Sequence, residues 1–252
     1  MQIDTVKTIK EALKGRPSSA QLTQWRQDSR KGVQLALRAY DRKQTKLKQA
    51  RMQFEQRLSL ERPVWQAGGQ AAGVDEVGRG PLAGPVVACA VVIDEHFDLV
   101  AVHDSKQLSA KRRLALDAAI KQEAVAYAFG QVSAQLIDQI NIYEASRQAM
   151  KLAIEQLPLV PTMLLIDAMS VDLPIPQQRL IKGDDRSISI GAASILAKNY
   201  RDALMADYDQ VYPGYGFAYH AGYGTEEHLA ALAKLGPSPI HRLTFAPVKK
   251  YR

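Results

Sequence analysis

Residues 73–85 read GVDEVGRGPLAGP, and they open onto a run, 86–93, made almost entirely of β-branched and small apolar side chains. A run of that length and composition is a buried strand. The residues just ahead, about 71–76, form a short strand of their own, which leaves Asp75 and Glu76 at its tip. The Gly- and Pro-rich GRGPLAG between the two strands is the turn. Two like charges side by side at the end of a buried strand repel each other and lose hydration. Something positive has to stand against them.

Downstream, strands and helices alternate. Ser109 is an N-cap for a helix running to about Glu123. Residues 124–132 are a third strand, and 136–157 are helical with an interruption near Asn141. MLLID, at 163–167, is a short buried strand ending in a carboxylate, and RLIKGD, at 179–184, is another. Residues 188–208 form a long helix whose Gly191, Ala192, Ala193, Ser194 and Ala197 permit close packing on a sheet. Gly and Tyr crowd the loop at 212–224, and 226–235 is a last short helix. Three successive strands followed by strand–helix alternation specify an α/β domain with a mixed sheet.

Upstream, residues 1–66 read as a small all-α region. Ile3, Val6, Ile9 and Leu13 share one helical face, and GRPSS at 15–19 breaks the pattern with Ser18 or Ser19 as N-cap. Trp25, Val33, Leu37, Tyr40, Leu47, Phe54 and Leu58 recur at loose helical spacing, enough for two or three helices with a thin core. RPVW and QAGGQAAG, within 62–73, read as a linker. The +7 charge of the 252-residue chain is uneven: residues 1–66 hold 15 Lys and Arg against 6 Asp and Glu, and the remainder holds 18 against 20. Excess positive charge confined to one segment points to a polyanionic partner such as nucleic acid.

No apolar stretch approaches the roughly 20 residues that span a bilayer. The N-terminus is a charged amphipathic helix rather than a signal peptide. A single cysteine, Cys89, lies inside VVACAVVI as a small buried hydrophobe and excludes an intramolecular disulfide. A cytoplasmic protein is expected.

Three strand ends carry carboxylates: Asp75 with Glu76, Asp167, and Asp184 with Asp185. Ligands commonly bind at strand ends in open α/β sheets. If the first and fourth strands are neighbours, these acids converge, and converged carboxylates need cations. A site of oxygen ligands, without Cys or clustered His, suits Mg²⁺ or Mn²⁺ rather than zinc. Its natural chemistry is two-metal phosphoryl transfer.

GVDEVGRGPLAGPVVACAVV, DSKQLS, LLID, KGD followed by ISIGAASILAK, and YPGYGFAYHAGYGT, in that order over about residues 70–250, closely resemble bacterial ribonuclease HII. The resemblance implies a ribonuclease H-like fold with a central mixed five-stranded sheet flanked by helices. The catalytic domain would occupy 70–252, with a helical C-terminal part, behind a basic helical extension at 1–66. The family's metal-binding acids fall on Asp75, Glu76, Asp167 and Asp184, the last chosen over Asp185 because it directly follows Lys182-Gly183. Gly78, Arg79 and Gly80 match the family's Gly-Arg-Gly, whose backbone contacts the ribose 2′-hydroxyl and adjacent phosphate. Tyr223 matches the tyrosine that senses a ribonucleotide–DNA junction. Ser105, Lys106, Asn141 and Lys182 match polar positions near the nucleic-acid backbone. His220 and His241 stay outside the catalytic set. The implied activity, with Mg²⁺ or Mn²⁺, is cleavage of RNA in RNA–DNA hybrids and of single ribonucleotides in duplex DNA, by a monomer with no membrane partner. A helical N-terminal segment and an intact Gly-Arg-Gly set the chain apart from ribonuclease HIII.

Overall fold

Strand pairing begins where the sequence is most apolar. In the computed structural model, which describes residues 4–102 and 108–251, β1 (Ala71–Val77) runs antiparallel to β2 (Val86–Val92), with Asp75 opposite Cys89. β2 pairs antiparallel with β3 (Ala126–Val132). On its other side β1 runs parallel to β4 (Met163–Asp167), and β4 runs parallel to β5 (Gln177–Leu180). The order is β3-β2-β1-β4-β5, a mixed five-stranded sheet. The first and fourth strands are therefore neighbours, as convergence of the acids requires. Register brings two of them level: Val74 pairs with Ile166, so Asp75 and Asp167 come one step later on adjacent strands.

Helices cover both faces. α5 (Ala110–Glu123) precedes β3, with Ser109 capping its N-terminus through Arg112 N. α6 (Ala134–Glu155) lies over the face formed by Ala72, Val74, Ala88, Ala90 and Ile166. Gly130 permits this approach, because a Cβ there would lie 2.1 Å from the carbonyl oxygen of Ala149. After β5 come α7 (Gly183–Arg186) and α8 (Ile188–Val211), and α8 packs on the opposite face. A Cβ on Gly73 would lie 2.2 Å from the backbone carbon of Ser189, so only glycine lets the start of α8 close on β1. α9 (Phe217–His220), α10 (Glu226–Leu235) and α11 (Ala246–Lys249) complete the C-terminal part.

Ahead of the sheet lie α1 (Val6–Ala12), α2 (Ser19–Arg26), α3 (Lys31–Arg57) and α4 (Arg62–Gln66). Ile9, Leu13, Trp25, Val33 and Leu37 make the thin core expected of the first three helices. Ser18 caps α2 in a reciprocal capping box with Gln21. Ile3 lies outside the described residues. By contacts the chain divides into Met1–Glu55 and Gln56–Arg252.

Three local readings change. Residues 62–66 are not a linker: they form α4, whose Trp65 donates its indole N–H to the carbonyl of Ile93. RLIKGD is not a buried strand: β5 ends at Leu180 with its middle exposed, as suits an edge strand, and Lys182 turns the chain with φ 54°. The Gly–Tyr loop contains the single turn α9. The interruption near Asn141 is present: Asn141 has φ 67°, and its side-chain oxygen accepts from the N–H groups of Tyr143 and Glu144, starting the helix afresh.

Candidate active site

Asp75, Glu76 and Asp167 each offer an oxygen within 4.8 Å of the other two. Successive residues of a strand point to opposite faces, but Asp75 and Glu76, just past the last pair of β1 with β4, both reach the same space. The Asp75 carboxylate accepts from the N–H of Glu76 at 2.8 Å and from the hydroxyl of Ser194 on α8. Asp167 accepts from the N–H of Gly183 at 2.6 Å, which ties the end of β4 to the turn carrying Asp184. Asp184 is buried while Asp185 is exposed, and Asp184 lies close enough to bear on the charge of Asp75. Its oxygens fall outside the three-carboxylate cluster found among the described residues.

Electrostatics give the cluster its character. Burial first, then the charges of Glu76 and Asp167, push the Asp75 carboxyl well above its ordinary range. Burial raises Glu76 to about 7, although Arg79, 3.6 Å away, pulls it down. Arg79 is thus insufficient to offset the burial of Glu76. Glu76 Oε2 is buried with no hydrogen-bond partner. Carboxylate oxygens with neither thiolate nor imidazole among them are the donors of a hard divalent cation. Together the donor set, the raised pKa values and the unfilled oxygen fit such a metal.

The Gly-Arg-Gly turn follows directly and is held from behind. Arg242, fully buried, donates to the carbonyls of Gly78 at 2.5 Å, Arg79 at 3.0 Å and Gly84 at 2.9 and 3.0 Å. Arg201, also fully buried, donates to the carbonyls of Pro85, Ala221 and Ala83. Burial lowers both guanidinium groups, Arg242 to about 9 and Arg201 to about 10, so both remain charged at neutral pH. Gly78 has φ +92°, and a Cβ there would lie 2.2 Å from Arg201 Nε. The backbone of 78–80 is thereby fixed while Arg79 and Gly80 face solvent.

Tyr223 is brought to this turn: a Cβ on Gly80 would stand 3.7 Å from its ring. Its N–H donates to the carbonyl of His220, and its own carbonyl ends a chain of neutral histidines. Ser238 N–H donates to His241 Nδ1, so the His241 proton is on Nε2 and points at His228 Nε2, 3.0 Å away. His228 Nδ1–H then donates to Tyr223 O at 2.8 Å. Burial lowers His228 and takes His241 to about 4, which keeps the chain neutral. These histidines hold a loop, and none lies in the acid cluster.

The softer candidates scatter. Lys182 is exposed at the left-handed residue before α7. Asn141 spends its side-chain oxygen on the restart of α6. Ser105 and Lys106 lie outside the described residues. Sequence patterns missed Arg201, Arg242, His228, Arg57 and Glu61. The one signal present was the His-Arg pair within PSPIHRLTF, too polar for so apolar a stretch.

A model of the family described as ribonuclease HII matches residues 72–248, and one for the ribonuclease HII N-terminal domain matches 5–65. The chain belongs to the ribonuclease HII family. It is similar to the ribonuclease HII of Lactobacillus acidophilus, 55% identical over 98% of this chain and 99% of that one. It is 56% identical to that of Leuconostoc mesenteroides, over 98% of each. Among solved structures, the ribonuclease H2 of Pyrococcus horikoshii OT3 superposes with a TM-score of 0.62 at 26% identity, over 72% of this chain and 96% of that one. Membership makes the protein a ribonuclease H enzyme with a ribonuclease H fold. No helix among the described residues is long and apolar enough to cross a membrane.

Proposed function

We propose that the enzyme hydrolyses the RNA strand of RNA–DNA hybrids and also cuts on the 5′ side of single ribonucleotides embedded in duplex DNA, leaving 3′-hydroxyl and 5′-phosphate ends. The observation that carries this reading is the carboxylate cluster set directly against a fixed Gly-Arg-Gly backbone and an exposed tyrosine. Asp75, Glu76, Asp167 and Asp184 would hold two divalent cations, Mg²⁺ or Mn²⁺. Bound there, such ions supply Lewis acidity for in-line displacement at phosphorus.

The chain's own residues do the selecting. A 2′-hydroxyl both donates and accepts, and it is the group that distinguishes RNA from DNA. Gly80, exposed and without a Cβ, leaves a ribose free to approach the main chain, while Gly78 gives Arg201 room behind it and Arg242 aims and stiffens that main chain. Tyr223 offers a ring face to the next sugar. Ser194 and Gly183 orient Asp75 and Asp167 through hydrogen bonds to their carboxylates.

The test is cleavage mapping on a duplex containing one ribonucleotide, with Mg²⁺ and with chelator. One metal-dependent cut at the DNA–ribonucleotide phosphodiester is expected. Cleavage of continuous hybrids only, with the single-ribonucleotide duplex intact, would restrict the enzyme to the first activity.

The basic N-terminal helices are proposed to contact duplex phosphates. Arg42, Lys43, Lys46 and Lys48 are exposed on α3. Replacing all four with glutamine keeps helix propensity and should flatten the salt dependence of hybrid binding by about 0.9 in slope for each phosphate no longer neutralised. An unchanged slope over a salt series would remove that role.

A further inference from the structure

Arg57, on the last turn of α3, and Glu61, one helical turn further along, approach the segment that carries Asp184. Arg57 donates through Nη2 to the carbonyls of Asp184, at 2.5 Å, and Ser187, at 3.1 Å. Its Nη1 donates to the carbonyl of Val102. Glu61 is fully buried. One of its oxygens accepts from the hydroxyls of Ser187 at 2.6 Å and Ser189 at 2.8 Å, and from the N–H of Ser189 at 3.0 Å. The two residues thus grip the stretch from Asp184 to Ser189 that leads from β5 into α8.

That stretch needs holding. Lys182 enters it in the left-handed region, a conformation that persists only where the surroundings over-determine it. One side is tied by Gly183 N–H to Asp167, and Arg57 ties the other. The fold also makes room for the guanidinium: a Cβ on Gly191 would lie 2.6 Å from Arg57 Nη2. Burying an arginine and a glutamate costs more than packing two apolar side chains of the same size. Their polar contacts converge on the backbone that aims one carboxylate.

We propose that Arg57, through the carbonyl of Asp184, and Glu61, through Ser187 and Ser189 just beyond it, are positioning residues for Asp184 that set the reach of its carboxylate toward the metal. The proposal rests on Asp184 being a metal ligand. It gives the residues just ahead of the catalytic sheet a part in the chemistry that is separate from any contact with the duplex. Groups that orient metal ligands typically change metal affinity or activity by about 10–100-fold when removed.

The experiment is calorimetric titration of Mn²⁺ into the metal-free full-length protein, alongside hybrid cleavage over a Mn²⁺ series. Arg57→Ala should weaken Mn²⁺ binding about tenfold and lower kcat at limiting metal, with recovery at high Mn²⁺ and the KM for hybrid unchanged. Glu61→Ala should do the same, while Glu61→Gln, which keeps the accepting oxygen, should restore binding. Arg57→Lys keeps the charge but replaces two spaced, planar nitrogens with a single ammonium, and it serves if the alanine variant does not fold. In an Asp184→Asn background the Arg57 substitution should add no further loss of Mn²⁺ affinity. Wild-type Mn²⁺ affinity in a variant that only melts earlier, or losses that add fully to those of Asp184→Asn, would overturn the proposal. Wild-type affinity in Asp184→Asn alone would remove the ligand reading, and the proposal with it.

Discussion

Asp75→Asn is expected to abolish cleavage while leaving hybrid binding largely intact, and to make the metal-free protein more stable at pH 8. Asp75 is 6% exposed at the base of the cluster, so it contributes little surface to a bound duplex. If Asp75 is a metal ligand as proposed, losing its charge removes several kcal/mol of transition-state stabilisation, and about 4 kcal/mol corresponds to roughly a thousandfold in rate. The stability effect has the opposite sign. In the metal-free protein the folded-state pKa of both Asp75 and Glu76 is raised above the unfolded value, Glu76 from 4.5 to about 7. The folded state then holds protons more tightly than the unfolded chain. Stability is complete below the unfolded pKa values and is lost as pH rises through the folded ones. For Glu76 alone the loss amounts to about 3 kcal/mol once pH passes well above 7. Asparagine at 75 removes one charge from this repulsion, so the variant should melt higher than the parent at pH 8, by about 2–4 °C per kcal/mol recovered. Mn²⁺ should reverse the order by stabilising the parent more. Turnover retained in Mg²⁺, or a metal-free variant no more stable than the parent at pH 8, would refute the assignment.

Such an outcome would mean that function is built here against stability. The sheet could be steadier with neutral side chains at its strand tips, and it keeps acids that fold best when protonated or metallated.

What the sequence made legible were the features written in local patterns. Val86–Val92 has the composition and length of a buried strand, and Asp75 and Asp167 each close an apolar run; Asp167 ends β4, while β1 runs on to Val77, two residues past Asp75. Their meeting required β1 and β4 to be neighbours, and the parallel pairing of Val74 with Ile166 supplies that. Between Asp184 and Asp185 only the place of the first after Lys182-Gly183 pointed to a choice in the sequence; in the fold Asp184 is buried and Asp185 exposed. The supporting residues were illegible because their bonds join distant positions. Arg242 donates to Gly78 across 164 residues and Glu61 accepts from Ser189 across 128, and no periodicity encodes either. An arginine or glutamate in a charged helix reads as solvated. Glu61 is buried because backbone and hydroxyl donors at the start of α8 converge on it, and that convergence exists only in the fold.

Tyr223→Ala should reduce cleavage of a single ribonucleotide in duplex DNA by about 10–100-fold, the loss of one ring–nucleotide interaction of about 1–3 kcal/mol. Cleavage of a continuous RNA strand should fall much less. On the proposed reading, a hybrid would present a ribose to the Gly78–Gly80 backbone in every register, whereas the other substrate would have only one productive register for the ring to secure. The fold should survive, because Tyr223 is 42% exposed and the loop is held through main-chain atoms, by His220 O, His228 Nδ1 and Arg201. Tyr223→Phe keeps the ring and should cleave both substrates at near the parental rate. Steady-state rates on the two substrates decide the matter. Equal losses on both would make Tyr223 a general binding residue, and a phenylalanine variant as slow as the alanine one would shift the role from the ring to its hydroxyl.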